Sequence, residues 1–153
     1  MEKTVRKLRV AMIGQKRVPS REGGVEVVVE ELATRMAALG YRVTCYNRKG
    51  RHVAGAQYGA EALSEYKGVF LRSVPTLDIR GLAAASASVM GAIAAAFGPY
   101  DVVHFHAEGP SAMCWLPKLA GKRVIVTVHG LDHRREKWGK FARAFILLGE
   151  RCA

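Results

Sequence analysis

Leu8-Arg-Val-Ala-Met-Ile-Gly14 is the stretch on which the fold turns. It is a short apolar run closed by glycine, and it reads as a buried first strand. A polar loop follows from Gln15 to Gly24, containing Pro19 and the pair Gly23-Gly24. Val25, Val28, Val29, Leu32, Met36 and Leu39 then recur at helical spacing on one face, and Gly40 stands where a left-handed helix stop belongs. Arg42-Val-Thr-Cys-Tyr46 is a second strand. Strand, helix and strand in this order open a parallel α/β sheet.

Outward from this unit the alternation continues. Asn47 to Lys67 is polar and reads as loop with a short helix near Ala60 to Tyr66. Val69 to Val74 is a third strand, stopped by Pro75. Gly81 to Tyr100 holds no charged residue. Its many alanines contribute little to membrane insertion, so it reads as a helix lying close against the sheet rather than a span. Asp101 to His106 is a fourth strand, Pro110 to Leu119 a short helix with proline in its first turn, and Arg123 to His129 a fifth strand. The last is nearly all β-branched, as expected in the middle of a parallel sheet. Trp138 to Gly149 is helical. The whole is an α/β, Rossmann-like parallel sheet with helices on both faces.

The 153 residues suffice for one domain with a core, and a hydrophobic content of 50% excludes disorder. Cys45, Cys114 and Cys152 are odd in number and widely spaced, so they make neither a disulfide framework nor a CxxC metal site, and a reduced, cytosolic protein follows. The basic N-terminal stretch has no apolar segment of secretory type. The net charge is +11, with twelve Lys/Arg against five acids in residues 1–52 and five against two from Asp132 to Arg143. Such clustering points to an anionic partner: nucleic acid, a membrane surface, or the phosphates of a small ligand.

In open parallel sheets ligands lie beyond the carboxyl ends of the strands. Three stretches fall there. Gly23-Gly24 precedes a helix, where backbone amides can face an anion with no Cβ in the way. The spacing fits neither GxGxxG nor a P-loop. His104-Phe-His106 puts two imidazoles on one strand face, the later one nearer the carboxyl edge. The spacing of these and the other histidines fits no standard metal site. His129 closes a buried strand, a rigid mount for a proton handler or hydrogen-bond donor. Asp132 could orient it, and Arg134, Arg135 and Lys137 could offset phosphate charge. Neither a serine or cysteine nucleophile nor a pair of carboxylates accompanies it.

Taken in order, Val10-Ala-Met-Ile-Gly14, Pro19, Gly23-Gly24-Val-Glu26, Glu31-Leu-Ala, Leu39-Gly-Tyr-Arg-Val, Asp101-Val-Val-His-Phe-His106 and Val126-Thr-Val-His-Gly130 resemble the N-terminal lobe of GT-B sugar transferases, specifically the retaining family 4 group. The tail from Leu131 to Lys140 is similar to the rhamnosyltransferase-like branch of that group. The resemblance covers nearly the whole chain. It implies that Gly23 and Gly24 approach the diphosphate of a nucleoside-diphosphate sugar donor, that His129, as the catalytic residue, meets the donor sugar or its leaving phosphate, and that Gly130 is among the substrate-binding residues. It implies that His106, Asp132, Arg135 and Lys137 lie by a glycan or lipid-linked acceptor. The implied reaction retains anomeric configuration and uses no metal and no cofactor. The implied location is cytoplasmic, peripheral at the inner face of the cell membrane, with an anionic membrane surface as partner.

In that family a second lobe holds the nucleotide and carries an acidic pair. The chain stops at Ala153 within a helical stretch, so the expectation is one truncated acceptor-side lobe, residues 1–153, with the donor lobe absent and little transfer activity alone. The alternative is a non-catalytic acceptor- or partner-binding half of a two-chain transferase. Nucleic acid is not expected as a partner, because no stacking aromatics or recognition helix interleave the basic residues. A nicotinamide dehydrogenase is disfavoured too: Tyr46-Asn47-Arg48 closes strand two where an acid would be needed.

Overall fold

The computed structural model describes residues 6–50, 63–77, 79, 82–130 and 139–153. β1 (Arg9–Ile13) runs parallel to β2 (Arg42–Arg48) on one side and to β5 (Val102–His106) on the other. β4 (Val69–Val74) continues the sheet beyond β2, and β6 (Arg123–Thr127) beyond β5, both in parallel. A two-residue β3 (Glu65–Tyr66) pairs antiparallel with β4. The order β3-β4-β2-β1-β5-β6 means that the chain winds outward from β1 and then crosses back to β5. The winding therefore reverses between β1 and β5, and their carboxyl ends flank the crevice where such sheets bind ligands.

Each face of the sheet has its own core. On one, α1 (Gly24–Ala38) buries Val29 and Ala33 against Val10, Met12, Val43 and Cys45. On the other, α2 (Ala83–Phe97) packs Ala87, Ala92 and Ala95 against Ala11, Ile13, Val103 and Phe105. Burial of a valine or leucine side chain is worth about 1.5–3 kcal/mol, so the strands' apolar runs hold both layers. The alanine-rich composition of α2 lets it approach the sheet closely. A Cβ on Gly91 would stand only 3.2 Å from Ile13 Cγ2. Among the described residues no helix is long and apolar enough to cross a membrane.

Three local expectations change. A helix near Ala60 to Tyr66 is not formed at Glu65 and Tyr66, which are β3 instead; residues 60–62 lie outside the described residues. Lys67 (φ 48°) and Gly68 (φ 80°) supply the paired left-handed conformations of a tight hairpin. The stretch Pro110 to Leu119 is two helices, α3 (Glu108–Ser111) and α4 (Trp115–Leu119), because Pro117 lacks the N–H that one continuous helix would need and its ring would clash with the preceding turn. Finally, β6 lies at the sheet edge among the described residues, with Arg123 and Ile125 exposed. Its β-branched composition favours a strand without specifying a place in the sheet.

The amino-terminal edge of the sheet is basic. Arg9, Arg42 and Arg123 begin three of its strands, with Arg6, Lys7 and Lys122 beside them. Asp101 binds Arg6 at 2.9 Å and Arg9 at 3.3 Å. Hydrogen bonds from Arg9 hold the Asp101 carboxyl below its ordinary range. At the other edge α5 (Lys140–Cys152) crosses α3 so closely that a Cβ on Gly149 would collide with the Glu108 carbonyl. Cys114 Sγ also donates to the Cys152 carbonyl oxygen at 3.2 Å.

Candidate active site at the carboxyl edge

Gly14 lets the ends of β1 and β5 meet. Its φ of 129° is left-handed, and a Cβ there would run into the His106 carbonyl oxygen. The Gly14 carbonyl accepts a hydrogen bond from Arg48 Nη2 at 3.1 Å, so the end of β2 is tied to the same point. Buried polar side chains hold the following loop in place. Asn47 exchanges two 3.0 Å bonds with the backbone of Val18, Glu26 Oε1 accepts the Lys16 N–H at 3.0 Å, and Glu30 Oε2 accepts the Ser20 N–H at 3.1 Å. In this way the polar loop satisfies its backbone without secondary structure.

The loop delivers Gly23 and Gly24 to the start of α1. Gly23 is extended and caps the helix. A Cβ on Gly23 would meet the Glu26 carboxylate, whereas one on Gly24 would meet nothing within 4 Å. Both glycines line a cavity of about 650 Å3. Lys16, Arg48 and His129 join them on its polar side, and Val25, Phe141, Phe145 and Ile146 form an apolar wall. The charge is mixed, since Glu22 and Glu26 stand beside the two cations. Burial pushes the Arg48 guanidinium below its ordinary value, and Glu26 opposes that shift.

Three histidines stand in a row at the end of β5. His104 and His106 share one strand face, with ring centroids 4.0 Å apart. Thr127 Oγ1 lies 2.7 Å from His104 Nε2. His106 Nδ1 lies 3.2 Å from His129 Nε2, their rings 27° from parallel. His106 has no solvent exposure. Burial, then His104 and His129, push its pKa down to about 3. His104 is pushed down as well, by burial first and His129 second.

Of the residues read from the sequence, Gly23, Gly24 and His129 converge on the cavity. His106 does not line it: the side chain is buried behind His129, so its reach to a ligand runs through that ring rather than by direct contact. Gly130 is exposed next to the cavity wall but not part of it. Asp132, Arg135 and Lys137 lie outside the described residues. The sequence reading did not single out Lys16, Arg48 or Ala107. Ala107 follows His106 with φ 78°, a conformation costly for any residue with a Cβ, and it too lines the cavity. The signal for Arg48 was its place at the carboxyl end of a strand. Among the described residues no group of three or more His, Cys, Asp or Glu side chains could hold a metal ion.

Amides at a helix start, two cations and an imidazole around one cavity can hold an anion and donate to it. The sequence model for Glycosyltransferase Family 4 matches residues 22–152, from the glycine pair to the end of α5. The chain belongs to glycosyltransferase family 4. No curated protein matches the sequence. As a family 4 chain, its Rossmann-like layers have the form of one GT-B lobe. The family match begins at Glu22 and so takes in Gly23, Gly24, Arg48, the histidine row and the apolar wall of the cavity.

Proposed function

We propose that this family 4 chain is the N-terminal, acceptor-side lobe of a retaining, metal-independent glycosyltransferase. It moves a sugar from a nucleoside-diphosphate donor to a glycan or lipid-linked acceptor. The observation that supports this reading is the convergence of Gly23, Gly24, Lys16, Arg48 and His129 on one cavity at the point where the sheet reverses its winding. As the glycosidic bond to the diphosphate breaks, negative charge grows on the leaving phosphate. The free amides and dipole of α1, with Lys16 and Arg48, meet that charge without reorganising. His129 donates to the donor sugar or to the leaving phosphate. The apolar wall of Phe141, Phe145 and Ile146 keeps water from the reacting carbon and suits the less polar part of an acceptor. The chain works at the cytoplasmic face of an anionic membrane, where its basic surface is held by lipid headgroups.

Titration of the 15N-labelled chain with inorganic pyrophosphate and with nucleoside-diphosphate sugars tests the site. The Gly23 and Gly24 amides and the His129 ring should shift. A titration that moves none of these three would remove the diphosphate from this cavity. In a transfer assay of this lobe joined to a donor lobe, His129→Ala should lower turnover about 100-fold, the usual cost of one lost transition-state donor, a far larger effect than its cost in stability.

A further inference from the structure

The contact between His106 and His129 joins one buried ring to one ring on the cavity wall. Only His106 Nδ1 and His129 Nε2 approach each other, at 3.2 Å. His106 Nε2 is buried and has no hydrogen-bond partner among the described residues. The His104 ring lies against the inner ring, centroids 4.0 Å apart and planes tilted by 32°, and is itself held by Thr127 at 2.7 Å, so the His106 ring is fixed in place. An ionised His106 would donate from both nitrogens, and nothing is placed to accept at Nε2. The ring is therefore neutral, with one proton to assign.

Two arrangements remain. In one, His129 Nε2–H donates to His106 Nδ1, and the proton of His106 sits on the buried Nε2 with no acceptor. In the other, His106 Nδ1–H donates to His129 Nε2, and the buried Nε2 carries only a lone pair. Buried N–H groups without an acceptor are rarer in folded proteins than under-used acceptors. The second arrangement is favoured. It leaves Nδ1 as the proton-bearing nitrogen of His129.

We propose that His106 is a positioning residue for His129: its Nδ1–H holds the outer ring as the Nδ1–H tautomer, so that His129 meets the occupant of the cavity as a hydrogen-bond donor rather than as a base. The consequence for transfer rests on the proposed role of His129, while the tautomer itself can be read with no substrate. A second-layer group that sets the tautomer of a working histidine is a recurring device. In this chain a histidine takes that place instead of a carboxylate or carbonyl, so the positioning group adds no negative charge beside a site for phosphates.

Long-range 1H–15N correlation on the histidine-labelled 153-residue chain at neutral pH reads the tautomer directly. His129 should show a protonated-type 15N shift at Nδ1 and an unprotonated-type shift at Nε2. The opposite pattern in the wild-type chain overturns the proposal before any variant is made. His106→Asn keeps a donor near the Nδ1 position and should preserve the pattern. His106→Phe fills the space without a donor, and the two shifts should exchange toward the Nε2–H form. An unchanged pattern in a folded His106→Phe chain shows that His106 merely packs. Should His106→Phe fail to fold, His106→Leu, equally without a donor, makes the same comparison: exchange toward the Nε2–H form supports the positioning role and an unchanged pattern overturns it. Wild-type shifts of the expected pattern with no pyrophosphate response would leave the tautomer standing and count only against the transferase site.

Discussion

Gly14, Gly23 and Gly24 are three glycines of one loop with different reasons to be glycine. At Gly14 the reason is internal, because a Cβ would strike the His106 carbonyl in a left-handed backbone. At Gly24 nothing within 4 Å resists a side chain, so the empty space belongs to the cavity. Gly14→Ala should therefore cost about 2 kcal/mol or more in chemical denaturation, through strain and displacement of the β5 end. Gly24→Val should leave the unfolding midpoint nearly unchanged and weaken pyrophosphate binding at least about tenfold, since a branched side chain at the first helical position obstructs the amides rather than the core. Intact pyrophosphate affinity in Gly24→Val would make the glycine pair a turn and nothing more. From the sequence the two kinds of glycine look alike. What separates them is the neighbouring strand, which a linear reading does not supply.

At the scale of elements, legibility followed periodicity. α1 could be read because its apolar residues repeat at the spacing of one buried face, and β1 and β2 because their inner residues form short runs covered on both faces of the sheet. The long α2 could be read from its missing charges, and its alanines now have a reason in the approach of Gly91 to Ile13. The hairpin of β3 was missed although Lys67-Gly68 carried its signal, because a two-residue strand has no period. The row of His104, His106 and His129 was half visible. Alternation paired the first two, but only the parallel register of β5 with β6 brings the third alongside. The α3–α5 contact was not legible at all. Gly149 marked the expected end of a helix, yet α5 runs on to Cys152 and uses that glycine for its crossing. Gly149→Ala should thus raise helix propensity locally and still destabilise the chain, by about 1–3 kcal/mol from overpacking. Amide exchange in α5 should rise before exchange in the central strands does. Equal exchange in both chains would show that the crossing is looser than the geometry implies.

For the whole molecule, the buried histidines make stability depend on pH. The pKa of His106 is about 3 in the fold, below the 6.5 of an unperturbed imidazole. The unfolded chain therefore takes up the proton first. The stabilising contribution is complete above pH 6.5 and is lost as pH falls from there toward 3. His104 acts in the same direction. Between those limits His106 should contribute a slope of about 1.4 kcal/mol per pH unit. Denaturant midpoints measured between pH 7 and pH 5 should fall, and His106→Asn should flatten that fall. A parallel decline in both chains would assign the acid sensitivity to other groups.

The Arg9–Arg42–Arg123 edge bears on how an anion would find the cavity. β1 separates the two by its five residues, a path of about 16 Å. That is roughly two screening lengths at physiological salt, where fields decay over about 8 Å. The charge of that edge, from Arg6, Lys7, Arg9, Arg42, Lys122 and Arg123 beside Asp101, is thus electrically out of sight from the mouth of the crevice. Raising salt should weaken pyrophosphate binding with the shallow dependence of the few cations beside it, not the steep one that the total charge suggests. Calorimetric titrations across a salt series would show it.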